Sequence, residues 1–173
     1  MFVTLVAAGI IALQIFLIIF IIGLVIKAPF SNWVLRNSSA ILRLVFAGAT
    51  LGSLIFEYAL GYPPCLLCWY QRLAIIPIAI LLFTADITKS TLLRTQVIVI
   101  SSIGLAIALF HNYIDLFPNS GLDVCGADGV SCLARYVYEF GYITIPMMSL
   151  TVLLAGLVFA LVLNRRYPQH SLN

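Results

Sequence analysis

Five long apolar stretches constrain this chain more than any other feature. They run from about Leu5 to Ile26, Leu44 to Leu60, Leu66 to Thr84, Val97 to Tyr113 and Ile143 to Leu163. Each is long enough, or nearly so, to cross the roughly 30 Å apolar core of a bilayer as a helix. Helix is the expected state because lipid offers no hydrogen-bond partners, so backbone groups must be satisfied within the segment. Charged residues make up only 9% of the 173 positions, against roughly a quarter in soluble domains. A chain so short of charge cannot cover a globule with polar surface, so its solvent is lipid. The net charge of +3 is small and dispersed, which excludes an electrostatic nucleic-acid binder.

Lys and Arg fix the expected orientation. Lys27, Arg36 and Arg43 lie between the first and second spans, Lys89 and Arg94 between the third and fourth, and Arg165 and Arg166 after the fifth. These are seven of the nine basic residues, and their side is assigned to the cytoplasm. Asp115, Asp123, Asp128 and Glu139 gather on the other side with Arg135. The N-terminus is therefore expected outside and the C-terminus inside. Residues 1–26 carry no charge, whereas a secretory signal begins with a basic region, so the first stretch is read as a retained helix.

All four cysteines then fall at or beside two outer loops, about Gly61 to Cys65 and about Asn112 to Tyr142. Disulfides persist in that compartment and are rare in the cytosol. The first pair sits in Gly61-Tyr62-Pro63-Pro64-Cys65-Leu66-Leu67-Cys68-Trp69-Tyr70-Gln71-Arg72. The prolines place Cys65 at the start of the third helix. Cys68 shares its face three residues on, and Arg72 follows one turn later. The helix N-terminus favours an anion, and the thiolate is the reactive form of cysteine. Arg72 is read either as a group stabilising that thiolate or a polar ligand headgroup, or as a cation snorkelling to the interface.

The second pair, Cys125 and Cys132, closes a short stretch containing Gly126 and Gly129. A bridge there would add little stability, so it reads as an exchange site, with a plain loop staple as the alternative. Leu133, Tyr136, Val137 and Phe140 repeat at helical spacing and end on Gly141. That pattern predicts a short interfacial helix. Glu57 is read as a boundary carboxylate with a possible proton-relay role.

The Cys-x-x-Cys-Trp-Tyr-Gln-Arg run, together with Tyr138-Glu139-Phe140-Gly141-Tyr142-Ile143-Thr144-Ile145-Pro146, resembles the DsbB/BdbC family of quinone-coupled thiol oxidases, in its shorter-loop branch. The resemblance covers about residues 44–165. It implies an all-α membrane protein with a four-helix transmembrane core. Residues 1–43 add an extra transmembrane helix and cytoplasmic loop, residues 44–166 form the core, and residues 167–173 a cytoplasmic tail.

The resemblance also implies a bacterial cytoplasmic membrane protein that reoxidises a soluble thioredoxin-like, DsbA-type partner and reduces ubiquinone or menaquinone. Cys125 would exchange with the partner. Cys132 would pass electrons to Cys65, Cys68 would lie nearest the quinone, and Arg72 would contact a quinone oxygen. His111, seven residues before Pro118, matches a family histidine and would join Arg72 and Cys68 at the quinone, with a plain interfacial residue as the alternative. Two features depart from the family: the first span has no counterpart in the core, and the Cys125–Cys132 spacing is short. Gln71 carries over no acidic role. The competing readings are a vitamin K epoxide reductase-like enzyme, a scaffold or small transporter with stapled loops, and a four-cysteine zinc site.

Overall fold

The computed structural model describes residues 1–118 and 130–167. Among them, six α-helices account for nearly all regular structure: α1 Phe2–Val25, α2 Pro29–Arg36, α3 Ser38–Leu54, α4 Leu66–Thr84, α5 Thr91–Leu116 and α6 Ile145–Arg166. One π-helical turn, Ile55–Ala59, prolongs α3. Five of these helical segments are long and apolar enough to cross a membrane, as the hydropathy pattern predicts. The second and fourth begin earlier than expected, at Ser38 and Thr91.

Helices α3 to α6 pack each on the next, and α6 returns to α3. Glycine lets the backbones approach. A Cβ on Gly104 would lie 2.7 Å from Ala74 Cβ and 3.1 Å from Leu153, and one on Gly156 would lie 2.8 Å from Phe46. Small residues at such crossings replace the hydrophobic drive that lipid removes. The core between the helices holds Leu42, Phe46, Ile78, Leu82, Leu153 and Phe159, all fully buried.

Helix α1 stands outside this four-helix bundle, against α6. Only Ala7, Leu17, Phe20 and Gly23 of its 24 residues are buried, so a helix apolar on nearly all sides turns most of its surface to lipid. Phe20 stacks on Phe159 at 4.8 Å. Gln14, a polar residue in the middle of the span, donates to Thr151 Oγ1 of α6 at 3.0 Å and accepts from the Tyr142 hydroxyl at 2.7 Å. After α1, Lys27 takes a left-handed φ of 55°. Pro29 then starts α2, a short amphipathic helix that sequence reasoning left as loop.

The basic end of the bundle is tied by side chains to carbonyls. Arg43 donates to Leu82 O at 2.6 Å. Arg94, expected in a loop, lies instead in the first turn of α5 and is buried. Its guanidinium donates to Thr88 O, Thr91 Oγ1 and Tyr167 O. Asp86, between α4 and α5, accepts from Thr88 and Ser39.

The predicted helix over Leu133–Phe140 does not form. The segment is non-helical and ends in a tight reversal, where Glu139 and Ile143 exchange both backbone hydrogen bonds at 3.0 and 2.9 Å. Phe140 and Gly141 both take left-handed φ values, 52° and 80°. Tethers to three different neighbours hold the chain extended: Arg135 to Asp115, Tyr136 stacked on Tyr62 at 5.2 Å, and Val137 buried beside Phe56 and Met148. Of the four residues at helical spacing only Val137 is buried.

Candidate functional site

The Pro63-Pro64 dipeptide delivers Cys65 to the N-cap of α4 in extended conformation (φ −73°, ψ 171°). A Ser or Asp usually stands there to meet the unpaired N–H groups of the first turn, whereas Cys65 makes no side-chain cap hydrogen bond. Cys68, three residues on, comes back to within 3.0 Å of it, sulfur to sulfur. Both are free thiols, Cys65 buried and Cys68 half-buried. Cys132 is in a disulfide, is buried, and packs with Cys65, Leu67 and Ile114. Cys125 lies outside the described residues.

His111, on the last turns of α5, joins the two pairs. Its Nε2 lies 3.9 Å from Cys65 Sγ and 3.2 Å from the carbonyl oxygen of Cys132. The sulfurs of Cys65 and Cys132 and a His111 ring nitrogen all lie within 4.8 Å of one another. That trio has metal-ligand composition, but a disulfide sulfur is not the thiolate a soft metal requires. It is suited to thiol–disulfide exchange.

The tautomer of His111 follows from its partners. Cys132 O can only accept, so Nε2 must carry the proton. The neutral ring then presents a lone pair at Nδ1, and Gln71 Nε2 donates to it at 3.0 Å. A proton donor at Nε2 is therefore aimed between Cys65 Sγ and Cys132 O. Gln71 is 1% exposed, and its Oε1 has no partner. Spacing gave no hint of this role, because Gln71 meets His111 only through the α4–α5 packing.

The Cys65 thiol is held far below its ordinary value of 9.0, at about 4. The hydrogen bond with Cys68 is the main cause, followed by those from His111 and the Cys68 backbone N–H, which together outweigh burial. With the charge on Cys65, the Cys68 thiol is the donor.

Arg72 is buried and engaged elsewhere. It pairs with Glu57 and donates to Ser53 O at 2.8 Å, with its guanidinium 5.3 Å from the Trp69 ring centre. Glu57 rides on the π turn, a distortion frequent at functional sites. Thus Glu57 is the ion-pair partner of the membrane-embedded cation. The rule that charges within spans pair with one another carried the signal, since Glu57 and Arg72 are the only unlike charges at this end of the second and third spans.

Cys65, Cys68, Gln71, Arg72, His111 and Cys132 all line one cavity of about 490 Å³. From them it runs into an apolar region walled by α1, α3 and α6. Its size is that of a small-molecule site, and a few polar groups converge at one end of an apolar chamber.

Comparison with known proteins points the same way. A family model described as "Disulfide bond formation protein DsbB" matches residues 35–163. The chain is 37% identical over 119 residues to "Probable disulfide formation protein C 2" of Bacillus anthracis, covering 69% of this chain and 84% of that one. It is 35% identical over 112 residues to "Disulfide bond formation protein C" of Bacillus subtilis, covering 64% and 80%. It is 31% identical over 123 residues to "Probable disulfide formation protein" of Chlamydia pneumoniae, covering 71% and 88%. No solved structure matches.

Proposed function

The chain belongs to the DsbB family of disulfide bond formation proteins, and we propose that it is a thiol oxidase passing electrons from a soluble thioredoxin-fold partner to a membrane quinone. An oxidoreductase role in membrane disulfide formation comes with the family. On this reading the cysteines face outward from a bacterial cytoplasmic membrane. One observation carries the proposal: a free, acidified Cys65 stands within 4.8 Å of the sulfur of a disulfide-bonded Cys132.

The steps follow from thiolate attack on sulfur. A thiolate of the partner attacks Cys125, forming a mixed disulfide and releasing the Cys132 thiolate. The partner's second thiol then attacks, leaving with its own disulfide, so two electrons now sit on Cys125 and Cys132. Cys132 attacks Cys65 of an oxidised Cys65–Cys68 pair, and Cys68 leaves with one electron pair. Attack of Cys125 on Cys132 restores the disulfide there and frees Cys65. The product is an oxidised second pair and a reduced first pair, the redox pattern of the described cysteines. His111 Nε2–H, 3.9 Å from Cys65 Sγ, would stabilise the Cys65 anion as it departs, and Gln71 would keep that proton in place.

The chamber beyond fits a quinone. It is apolar, it begins at Cys68, and it offers Arg72 as a fixed cation, while the unused Gln71 Oε1 acceptor would suit an O–H of the reduced form. Ubiquinone or menaquinone, when bound, supplies the two-electron acceptor for the Cys65–Cys68 dithiol. Arg72 would hold the oxygen end, its own charge kept balanced by Glu57.

The test is quinone reduction by the purified full chain, given a reduced thioredoxin-fold protein in detergent. Turnover abolished by Cys65→Ser and by Cys125→Ser is expected. Folded protein that reduces neither ubiquinone nor menaquinone would refute the reading.

A further inference from the structure

The family match begins at residue 35, which leaves α1 outside it. Yet α1 is one wall of the cavity that starts at the cysteines. Val6, Gly9, Ile10 and Leu13 line it from α1, opposite Gly48 and Gly52 of α3. A Cβ built on Gly9, Gly48 or Gly52 meets no atom within 4 Å, so these three glycines border open space. By contrast, Gly104 and Gly156 sit where helices touch. Glycine at Gly9, Gly48 and Gly52 therefore is not required for helix packing.

The gap is built in. Helix α1 is fastened to α6 by the Gln14–Thr151 hydrogen bond and the Phe20–Phe159 stack, and it meets the π turn that prolongs α3 through Phe2 on Phe56. Gly9, Leu44 and Gly48 line the cavity and remain exposed, so the slot is open sideways between α1 and α3, to what would be lipid. At its inner end lie Cys68, Arg72 and Gln71, the last buried with an unpartnered Oε1. A ligand that fills both ends has a polar, reducible head and a long, slender apolar tail.

We infer that α1 and α3 form a tail-binding cleft, in which Gly9, Gly48 and Gly52 leave room for the isoprenoid chain of a quinone whose head lies at Cys68 and Arg72. This rests on the quinone reading above and assigns α1 a function: it makes the cleft two-sided. A single apolar face would leave the tail to compete with bulk lipid on equal terms. Two walls exchange lipid contacts for protein contacts fixed relative to the head site.

The test is equilibrium binding to the full-length protein in detergent, read by quenching of Trp fluorescence and by thermal shift. The probes are a quinone with an isoprenoid tail and the same head without one. The variants are Gly9→Leu and Gly48→Leu, on opposite walls. Neither meets a neighbouring atom at Cβ, and Leu favours helix over Gly, so both should fold, as circular dichroism would check.

In the wild type the tailed probe should bind more tightly than the tail-less one. In each variant that advantage should fall by about tenfold, because the leucine side chain takes the place of the tail against one wall. The tail-less probe should bind all three proteins alike. Undiminished preference for the tailed probe in both variants would overturn the cleft and leave the quinone reading standing. Equal affinity for the two probes in the wild type, with co-purifying phospholipid lost in the variants, would also overturn it, in favour of a lipid acyl chain. No binding of either probe to folded wild-type protein would remove the quinone reading and the cleft with it.

Discussion

Replacing Cys68 with Ala tests where the negative charge of the dithiol resides. Cys65 is held at about 4 from an ordinary 9.0, chiefly by its hydrogen bond with Cys68, whose sulfur is 3.0 Å away. A thiol titrating near 9 is about 1% thiolate at neutral pH, so the shift raises the reactive fraction about a hundredfold. Nucleophilicity falls with basicity, however, by about 0.4–0.5 of a decade per unit of pKa. Over about five units that loses two decades or slightly more. The two effects nearly cancel, so an alkylation rate taken at pH 7 alone will scarcely separate wild type from variant.

The pH profile separates them. Labelling of Cys65 by iodoacetamide, followed by peptide fragmentation to exclude label on Cys68, should be flat from about pH 5.5 to 8 in the wild type. In Cys68→Ala the rate should climb about tenfold per pH unit over the same range, because the largest stabiliser of the thiolate is gone. The same shift has a sign for stability. The native state binds fewer protons than the unfolded chain between the two values, so unfolding free energy rises with pH from about 4 to about 9 and the contribution is lost below. A wild-type rate that climbs tenfold per unit between pH 6 and 8 would refute the assignment of charge to Cys65.

Three further outcomes follow from other contacts. Gln71→Leu removes the donor to His111 Nδ1, leaving the ring free to carry its proton there. Cys65 then loses a hydrogen bond of a kind worth about 1.5–3 kcal/mol, and its alkylation profile should move up by one to two pH units. Glu57→Gln leaves the buried Arg72 cation unpaired, which costs about 3 kcal/mol. Thermal unfolding in detergent should show it, and the double variant with Arg72→Gln should be milder than Glu57→Gln alone. Gly104→Ala forces a Cβ to within 2.7 Å of Ala74 and should destabilise by about 1–3 kcal/mol. Gly9→Ala, which meets nothing within 4 Å, should be neutral or slightly stabilising in the same unfolding assay.

What the sequence disclosed and what it withheld divide along a physical line. Span number and class follow from one-dimensional hydropathy, and the five helices are where the apolar runs are. The Cys-x-x-Cys pair at a helix start was legible because proline placement and helical spacing are local. His111 was found through the family motif, and its approach to both cysteine pairs bears on the same chemistry. Gln71 was not legible as the partner of His111, since that depends on which faces α4 and α5 turn to one another, and the Arg72–Glu57 pair was legible only through the rule that charges within spans pair. The Leu133–Phe140 segment misled for a related reason. Its apolar spacing suits a helix, but its residues answer to α5, to the Tyr62 loop and to the α1–α6 groove in turn. Tertiary tethers outweigh a local period when the segment is short and each tether is strong.

The arrangement also explains why the cation and the thiolate are kept apart. An Arg directly on the Cys65 sulfur would add a permanent positive charge beside the thiolate, and a sulfur so stabilised is a poor nucleophile. Here the strongest stabiliser is Cys68 itself, at 3.0 Å. That stabiliser exists only while the pair is reduced, because an oxidised pair has no thiol to donate. The low value of Cys65 thus belongs to the state that must hold electrons, and vanishes when they leave. Arg72, balanced by Glu57 and fixed by Ser53 O, keeps its charge at the cavity wall through both states. The division assigns redox-dependent stabilisation to the dithiol and constant polarity to the ion pair. It predicts that Arg72→Gln alters binding in the cavity far more than the pH profile of Cys65 alkylation.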